Sequence, residues 1–221
     1  MMRIVAVLTG MALLVPNAGA EPSSQVAFDV PTIQLLRAAD PPRGEAFARE
    51  KKCAKCHGEA GVSDDAEDTN IAGMRPSYFY KQLKDYQGGE RDSRDMKKQV
   101  RDLDDQQMAD LAAWYATLEP APQAAEQAAE PAVLDLVYRG DPTRLLKACS
   151  SCHGRRGQGG QFDNPPLTGQ YPEYFITTMT EFKEGDRTND IYGRMRTIAE
   201  ALTEQEIEAL AAYYSAALPA Q

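Results

Sequence analysis

The chain is 221 residues long, with 33 Asp and Glu against 24 Lys and Arg and a formal net charge of −9. Such an acidic surface argues against a nucleic-acid partner and favours a partner with a basic docking face. The length suits two small domains of roughly 90 residues each, with thin cores.

Residues 1–20 read as a signal peptide. Arg3 supplies a basic start, Ile4 to Val15 an apolar run, and Ala18-Gly19-Ala20 a small-residue cleavage site. The apolar run is too short for a membrane span, so cleavage near Glu21 is favoured over an uncleaved anchor, and no later segment is apolar enough to cross a bilayer. Residues 21–39 form an N-terminal extension of mixed character, with Pro22 and Pro31 expected to break it. A first domain is expected over 40–118. Its opening helix starts at Pro41-Pro42-Arg43-Gly44 and runs through Phe47 into Cys53 to His57. An acidic loop follows from Gly58 to Thr69. Pro76 then starts a helix with Tyr78, Phe79, Leu83 and Tyr86 on its apolar face, ended by Gly88-Gly89. Asp104 with Gln107 forms a capping box for a last helix carrying Met108, Leu111, Ala112, Tyr115 and Leu118. Residues 119–132, rich in Ala, Glu and Pro, read as a linker, and 133–221 as a second domain.

All four cysteines and both histidines fall in two short motifs, Cys53-Ala54-Lys55-Cys56-His57 and Cys149-Ser150-Ser151-Cys152-His153. Positions i, i+3 and i+4 share one helical face, so two thiols can bond the vinyl groups of a haem while the imidazole reaches its iron. A shared zinc site, a redox dithiol or a pair of disulfides would account for the cysteines but not for a histidine directly after each pair. The spacing predicts two covalently attached haem c groups. Attachment of haem c outside the bacterial cytoplasm agrees with the export signal and points to the periplasm.

The chain repeats itself. At an offset of 96 residues Cys53 matches Cys149, Arg43-Gly44 matches Arg139-Gly140, Ile71-Ala72-Gly73 matches Leu167-Thr168-Gly169, Tyr78-Phe79 matches Tyr174-Phe175, and Gly89-Glu90-Arg91 matches Gly185-Asp186-Arg187. At an offset of 99 Leu103 matches Leu202, and Thr203 with Glu206 repeats the capping box. With both histidines used, the repeat selects the second axial ligands. Met74 faces Gln170, Met179 faces Leu83 and Met108 faces Ile207, so none of these positions requires sulfur. Met96 and Met195 face each other and are the candidate ligands, while Met108 and Met179 read as core. Two irons each bound by His and Met leave no open position for a substrate. The expected chemistry is outer-sphere electron transfer, with no catalytic residue.

The motifs C-A-K-C-H-G and C-S-S-C-H-G, P-P-L-T-G-Q at 165–170, Y-F-Y-K-Q-L-K-D-Y-Q-G-G-E-R at 78–91 and L-T-E-Q-E-I-E-A-L-A-A-Y-Y at 202–214 resemble the cytochrome c4 family over roughly residues 40–218. The resemblance implies an all-α fold of two tandem cytochrome c-like domains, each around one covalently bound haem. It implies the same axial methionines, and a periplasmic carrier taking electrons from a quinol-oxidising complex to a terminal oxidase or another acceptor. Such domains often carry a proline near the proximal histidine; Pro165 fits, whereas the first copy has Thr69, so the two haems are expected to differ in potential.

Two other functions compete. The haem subunit of a flavocytochrome c sulfide dehydrogenase is similar enough to be an alternative, with a flavoprotein dehydrogenase as partner. A two-haem enzyme such as a peroxidase or thiosulfate dehydrogenase is a lesser one, because no His or Cys is left for a special iron ligand. Lys51, Lys52, Lys55, Arg155 and Arg156 flank the motifs as basic patches, either for docking or as ordinary solvated charge.

Overall fold

The computed structural model describes residues 23–66, 68–121 and 129–215. The signal-peptide reading and the middle of the linker fall outside the described residues. The first half contains α1 (Val30–Arg37), α2 (Pro41–Lys51), α3 (Ala54–His57), α4 (Pro76–Gly88), α5 (Arg94–Val100) and α6 (Asp105–Thr117). The second contains α7 (Pro131–Tyr138), α8 (Ser150–His153), α9 (Pro172–Glu184), α10 (Arg194–Ala201) and α11 (Glu204–Ser215). No strand occurs among the described residues, only an isolated bridge between Asp141 and Leu146.

Each half folds around its own core, since helices this short bury too little apolar surface to stand alone. In the first, α2 and α4 pack on α6, with Phe79, Leu83, Met108, Leu111 and Tyr115 inside. The second has α9 against α10 and α11, and α7 against α11, enclosing Val137, Met179, Phe182, Leu210 and Tyr214. Met108 and Met179 are therefore core, as the repeat suggests. Local chemistry sets the helix starts. Asp40 caps α2, which has Pro41 and Pro42 in its first turn, and Asp104 and Gln107 make both bonds of the capping box of α6. The α2–α6 crossing needs Gly44: a Cβ there would lie 2.0 Å from the carbonyl oxygen of Asp110. The buried Asp110 carboxylate then fastens the start of α2, accepting from the Asp40 amide at 2.7 Å and from Arg43 Nε at 2.7 Å.

The repeat holds at the backbone in most places. Ile71 and Leu167 donate to Gly61 O and Gly157 O at 2.8 and 2.7 Å, and Arg91 and Arg187 donate to Asp85 O and Glu181 O at 3.1 Å each. The Arg-Gly match is not structural. Gly44 lies inside α2, whereas Gly140 (φ 72°) follows the end of α7 and turns the chain. The true equivalence is made by the motifs: the Cys53 amide donates to Ala48 O and the Cys149 amide to Leu136 O. The second copy has therefore gained a turn ahead of its motif, including a 3-10 segment at Pro142–Arg144.

Three further expectations change. Pro31 does not break the extension; it sits in the first turn of α1, capped by Asp29, where its missing N–H costs nothing. The opening helix does not run into the motif, because Lys52 takes a left-handed conformation (φ 59°) between α2 and α3. And α7 begins at Pro131, inside the stretch read as linker. The extension is also more than a tail: Ser24 Oγ donates to Asp85 Oδ1 at 2.6 Å, and Phe28 meets Phe162 of the second domain with ring centroids 5.1 Å apart.

Candidate functional site

Each motif forms one helical turn. The His57 amide reaches Cys53 O at 3.1 Å and the His153 amide reaches Cys149 O at 3.0 Å, which puts both thiols and the imidazole on one face. Both rings are held the same way: Nδ1 of His57 lies 2.8 Å from Thr69 O, and Nδ1 of His153 lies 2.8 Å from Pro165 O. With Nδ1–H donating to a carbonyl, Nε2 is left as the metal-binding nitrogen. Burial pushes the His153 imidazole below its ordinary value, which favours the neutral form a ligand needs. Burial likewise raises the Cys53 and Cys149 thiols, which face the Tyr115 and Tyr214 hydroxyls.

In the second domain His153 and Met195 line one cleft, with Leu167, Phe175 and Phe182 as apolar wall. Met74 and Met179 line it too, so three thioethers are within the cleft and the repeat, not lining alone, singles out Met195. Met195 is placed at the start of α10, where its amide donates to Asp190 Oδ2 at 2.8 Å. In the first domain Met96, at the start of α5 with its amide on the Ser93 cap, packs against the core that Cys53 also contacts. Paired thiols, an oriented imidazole and an apolar cleft with a thioether form a donor set that fits a covalent haem.

Between the two domains lies a polar network that the sequence analysis did not identify. Arg91 donates to the Tyr174 hydroxyl and Arg187 to the Tyr78 hydroxyl, each at 3.1 Å, so matching residues of the two copies cross over to one another. Gln82 Oε1 accepts from Arg91, Arg187 and Asn189 at 2.8, 3.1 and 3.0 Å. Lys81, fully buried, contacts Asp85 at 2.7 Å and Asp163 at 3.3 Å, and Asn189 donates to Asp85 at 2.7 Å. Burial alone would raise the Tyr174 phenol, but Arg91 and then Arg187 more than reverse this and hold it well below its usual value. The Thr69 side chain adds to this lowering of Tyr174. The Thr69 difference thus acts across the interface, while the main-chain bond to histidine is the same in both domains. The repeated Tyr78/Tyr174 and Arg91/Arg187 pairs were the available signal, since sequence showed that they recur but not that they meet.

The sequence family described as "Cytochrome c" matches residues 143–216, and that described as "Cytochrome C oxidase, cbb3-type, subunit III" matches residues 39–114. A cytochrome c4 of Thiocapsa roseopersicina is 38% identical over 79% of this chain and 91% of its own. A thiosulfate dehydrogenase electron acceptor of Stutzerimonas stutzeri (strain A1501) is 34% identical over 78% and 82%. The structure of reduced cytochrome c4 from Pseudomonas stutzeri superposes with a TM-score of 0.73 at 30% identity, covering 80% of this chain and 98% of that one. The chain belongs to the cytochrome c4 family: it is a two-haem electron-transfer protein of tandem cytochrome c domains, with a covalent haem c in each.

Proposed function

We propose that the protein is a periplasmic carrier, exported by a cleaved signal at 1–20, that shuttles electrons from a quinol-oxidising complex or a dehydrogenase to a terminal oxidase or another acceptor. Cys53, Cys56, Cys149 and Cys152 would attach the two haems, His57 and Met96 would hold one iron, and His153 and Met195 the other. The haem would supply a one-electron couple, and a thioether paired with an imidazole would raise its potential. The protein orients each imidazole through a carbonyl, shields the irons, and joins the two domains through buried donors. The observation that carries this reading is the pairing of His153, held at Nδ1 by Pro165 O at 2.8 Å, with Met195 in one apolar cleft.

A spectroscopic redox titration tests it. The ferric protein is expected to show the red-end absorbance band of Met-to-iron bonding, and reduction is expected in two sequential waves. Met96→Ala and Met195→Ala should each remove the band of one haem and lower its midpoint, while Met74→Ala and Met179→Ala should leave both bands. A band that survives both ligand substitutions would overturn the choice of Met96 and Met195, whereas absence of the band from both haems of the unaltered protein, with rapid cyanide binding, would sink the carrier reading.

A second reading keeps the chemistry and fixes the donor. The similarity to a thiosulfate dehydrogenase electron acceptor favours a sulfur-oxidising dehydrogenase as the source of electrons. Co-purification with such an enzyme, or with a flavin-containing chain, decides between these donors and a free carrier.

A further inference from the structure

Resting on the ligand pair His153 and Met195, we propose that Lys81, a residue of the first domain, is a positioning residue for the second redox centre. Its ammonium gathers the two segments that present those ligands. Lys81 is the only lysine buried among the described residues, with a side-chain exposure of 0%. An ammonium has three protons to place and is costly to bury unless they find partners. Three oxygens meet it. Asp85 Oδ2 lies on its own helix at 2.7 Å; from the second domain come Asp163 Oδ1 at 3.3 Å and the carbonyl oxygen of Asn189.

Asp163 and Asn189 each lead directly to an axial ligand. Asp163 stands two residues before Pro165, whose carbonyl lies 2.8 Å from His153 Nδ1. Asn189 stands beside Asp190, whose buried carboxylate accepts from the amides of Met195 and Arg196 at 2.8 and 3.0 Å. The other oxygen of Asp163 accepts from the Ile191 amide at 3.0 Å and so closes the two segments on each other. Between Ile191 and Met195 the chain passes through Tyr192 and Gly193, both left-handed, with φ of 61° and 65°. A left-handed tyrosine is strained and persists only where its surroundings over-determine it. Ties at Asn189, Asp190 and Ile191 do so here, the first made by Lys81 and the last by the Asp163 that Lys81 faces.

Lys81 has no counterpart acting the other way. Its match at an offset of 96 is Thr177, which is exposed. Met96 is placed from within its own domain, its amide donating to the Ser93 hydroxyl at 3.3 Å. The Arg–Tyr pairs thus cross in both directions, whereas the lysine acts in one. Outer partners of this kind fix the orientation of the groups that bind a metal. The second centre is held closed only while the first domain is docked against it.

The test uses the full ferric holoprotein and cyanide, which enters an iron site only when the methionine lets go. Met96→Ala and Met195→Ala each open one site and so assign the two binding phases. Lys81→Met should speed the phase of the second centre about tenfold or more and lower its midpoint, with the first phase unchanged. Amide exchange over residues 189–196 should quicken in the same variant, while exchange in α5 stays as it was. Lys81→Met with Asp85→Asn leaves the net charge unaltered and strands no charge on α4, so it reads the tie even if the single variant does not fold. Lys84→Met, on the same helix but bonded to Asp105 of its own domain at 2.7 Å, should alter neither phase. An unchanged second phase in the Lys81 variants, or equal acceleration of both phases, overturns the positioning role. If Met195→Ala opens no site, the ligand assignment fails and this role with it. If it opens one and the Lys81 variants leave that phase alone, only the role fails.

Discussion

In the first domain α2 ends at Lys51 and the chain enters the motif almost at once, whereas in the second α7 ends at Tyr138 and a pinned turn intervenes before Cys149. Yet the two histidines are held by carbonyls at the same 2.8 Å, from residues as different as Thr69 and Pro165. The contrast shows which features a duplicated domain can vary. Interactions made by main-chain atoms survive side-chain change, so the two imidazoles are oriented alike. The segment just ahead of the motif makes no bond to the histidine, and there the copies have parted.

The largest test of this contrast is Gly44→Ala. Its Cβ would meet Asp110 O at 2.0 Å and force α2 from α6, a loss toward the upper end of the ~1–3 kcal/mol typical of overpacking. Thermal unfolding followed at each haem should show the first domain melting ahead of the second. Equal loss at both haems would mean that the joint between the domains is strong enough to make them unfold as one.

Gln82→Leu bears on what joins them. It removes the acceptor shared by Arg91, Arg187 and Asn189, and should cost about 2 kcal/mol at the interface. Calorimetry is expected to show one unfolding transition separating into two. An unsplit transition at the original temperature would show that the crossed network does not hold the domains together.

The smallest expected effect is in acid and concerns the second domain's turn. Hydrogen bonding to Arg144 brings the Glu206 carboxyl down to about 2 from an ordinary 4.5. A depressed carboxyl stabilises the fold above its unfolded pKa, and that contribution fades as pH falls from 4.5 toward 2. The pair is partly solvated, so the effect is within ~1 kcal/mol. Glu206→Gln should flatten this acid limb of stability at the second haem; an unchanged limb would assign it to other groups.

Much of this was legible in the sequence because it is local. The motifs, the boxes at Asp104–Gln107 and Thr203–Glu206, and the pairing of Met96 with Met195 all follow from spacing of a few residues or from one offset. The Arg-Gly match misled because two identical residues at the right offset carry little weight against a backbone that needs a helix at Gly44 and a turn at Gly140. Pro31 misled because proline ends a helix interior but starts a first turn equally well. The crossed Arg–Tyr pairs could not be read at all: their partners lie 83 and 109 residues apart, and only the packed domains bring them together.

The contact of Phe28 with Phe162 has a consequence for the order in which the molecule comes into being. Synthesis runs from the amino terminus, and domains fold as units as they emerge. Phe28 is among the earliest described residues made, yet its ring partner lies 134 positions later, and Asp85, which holds Ser24, also waits for Asn189. The segment around Ser24 and Phe28 precedes the first domain's helices in the chain, yet its seat is complete only when residues of both halves are in place.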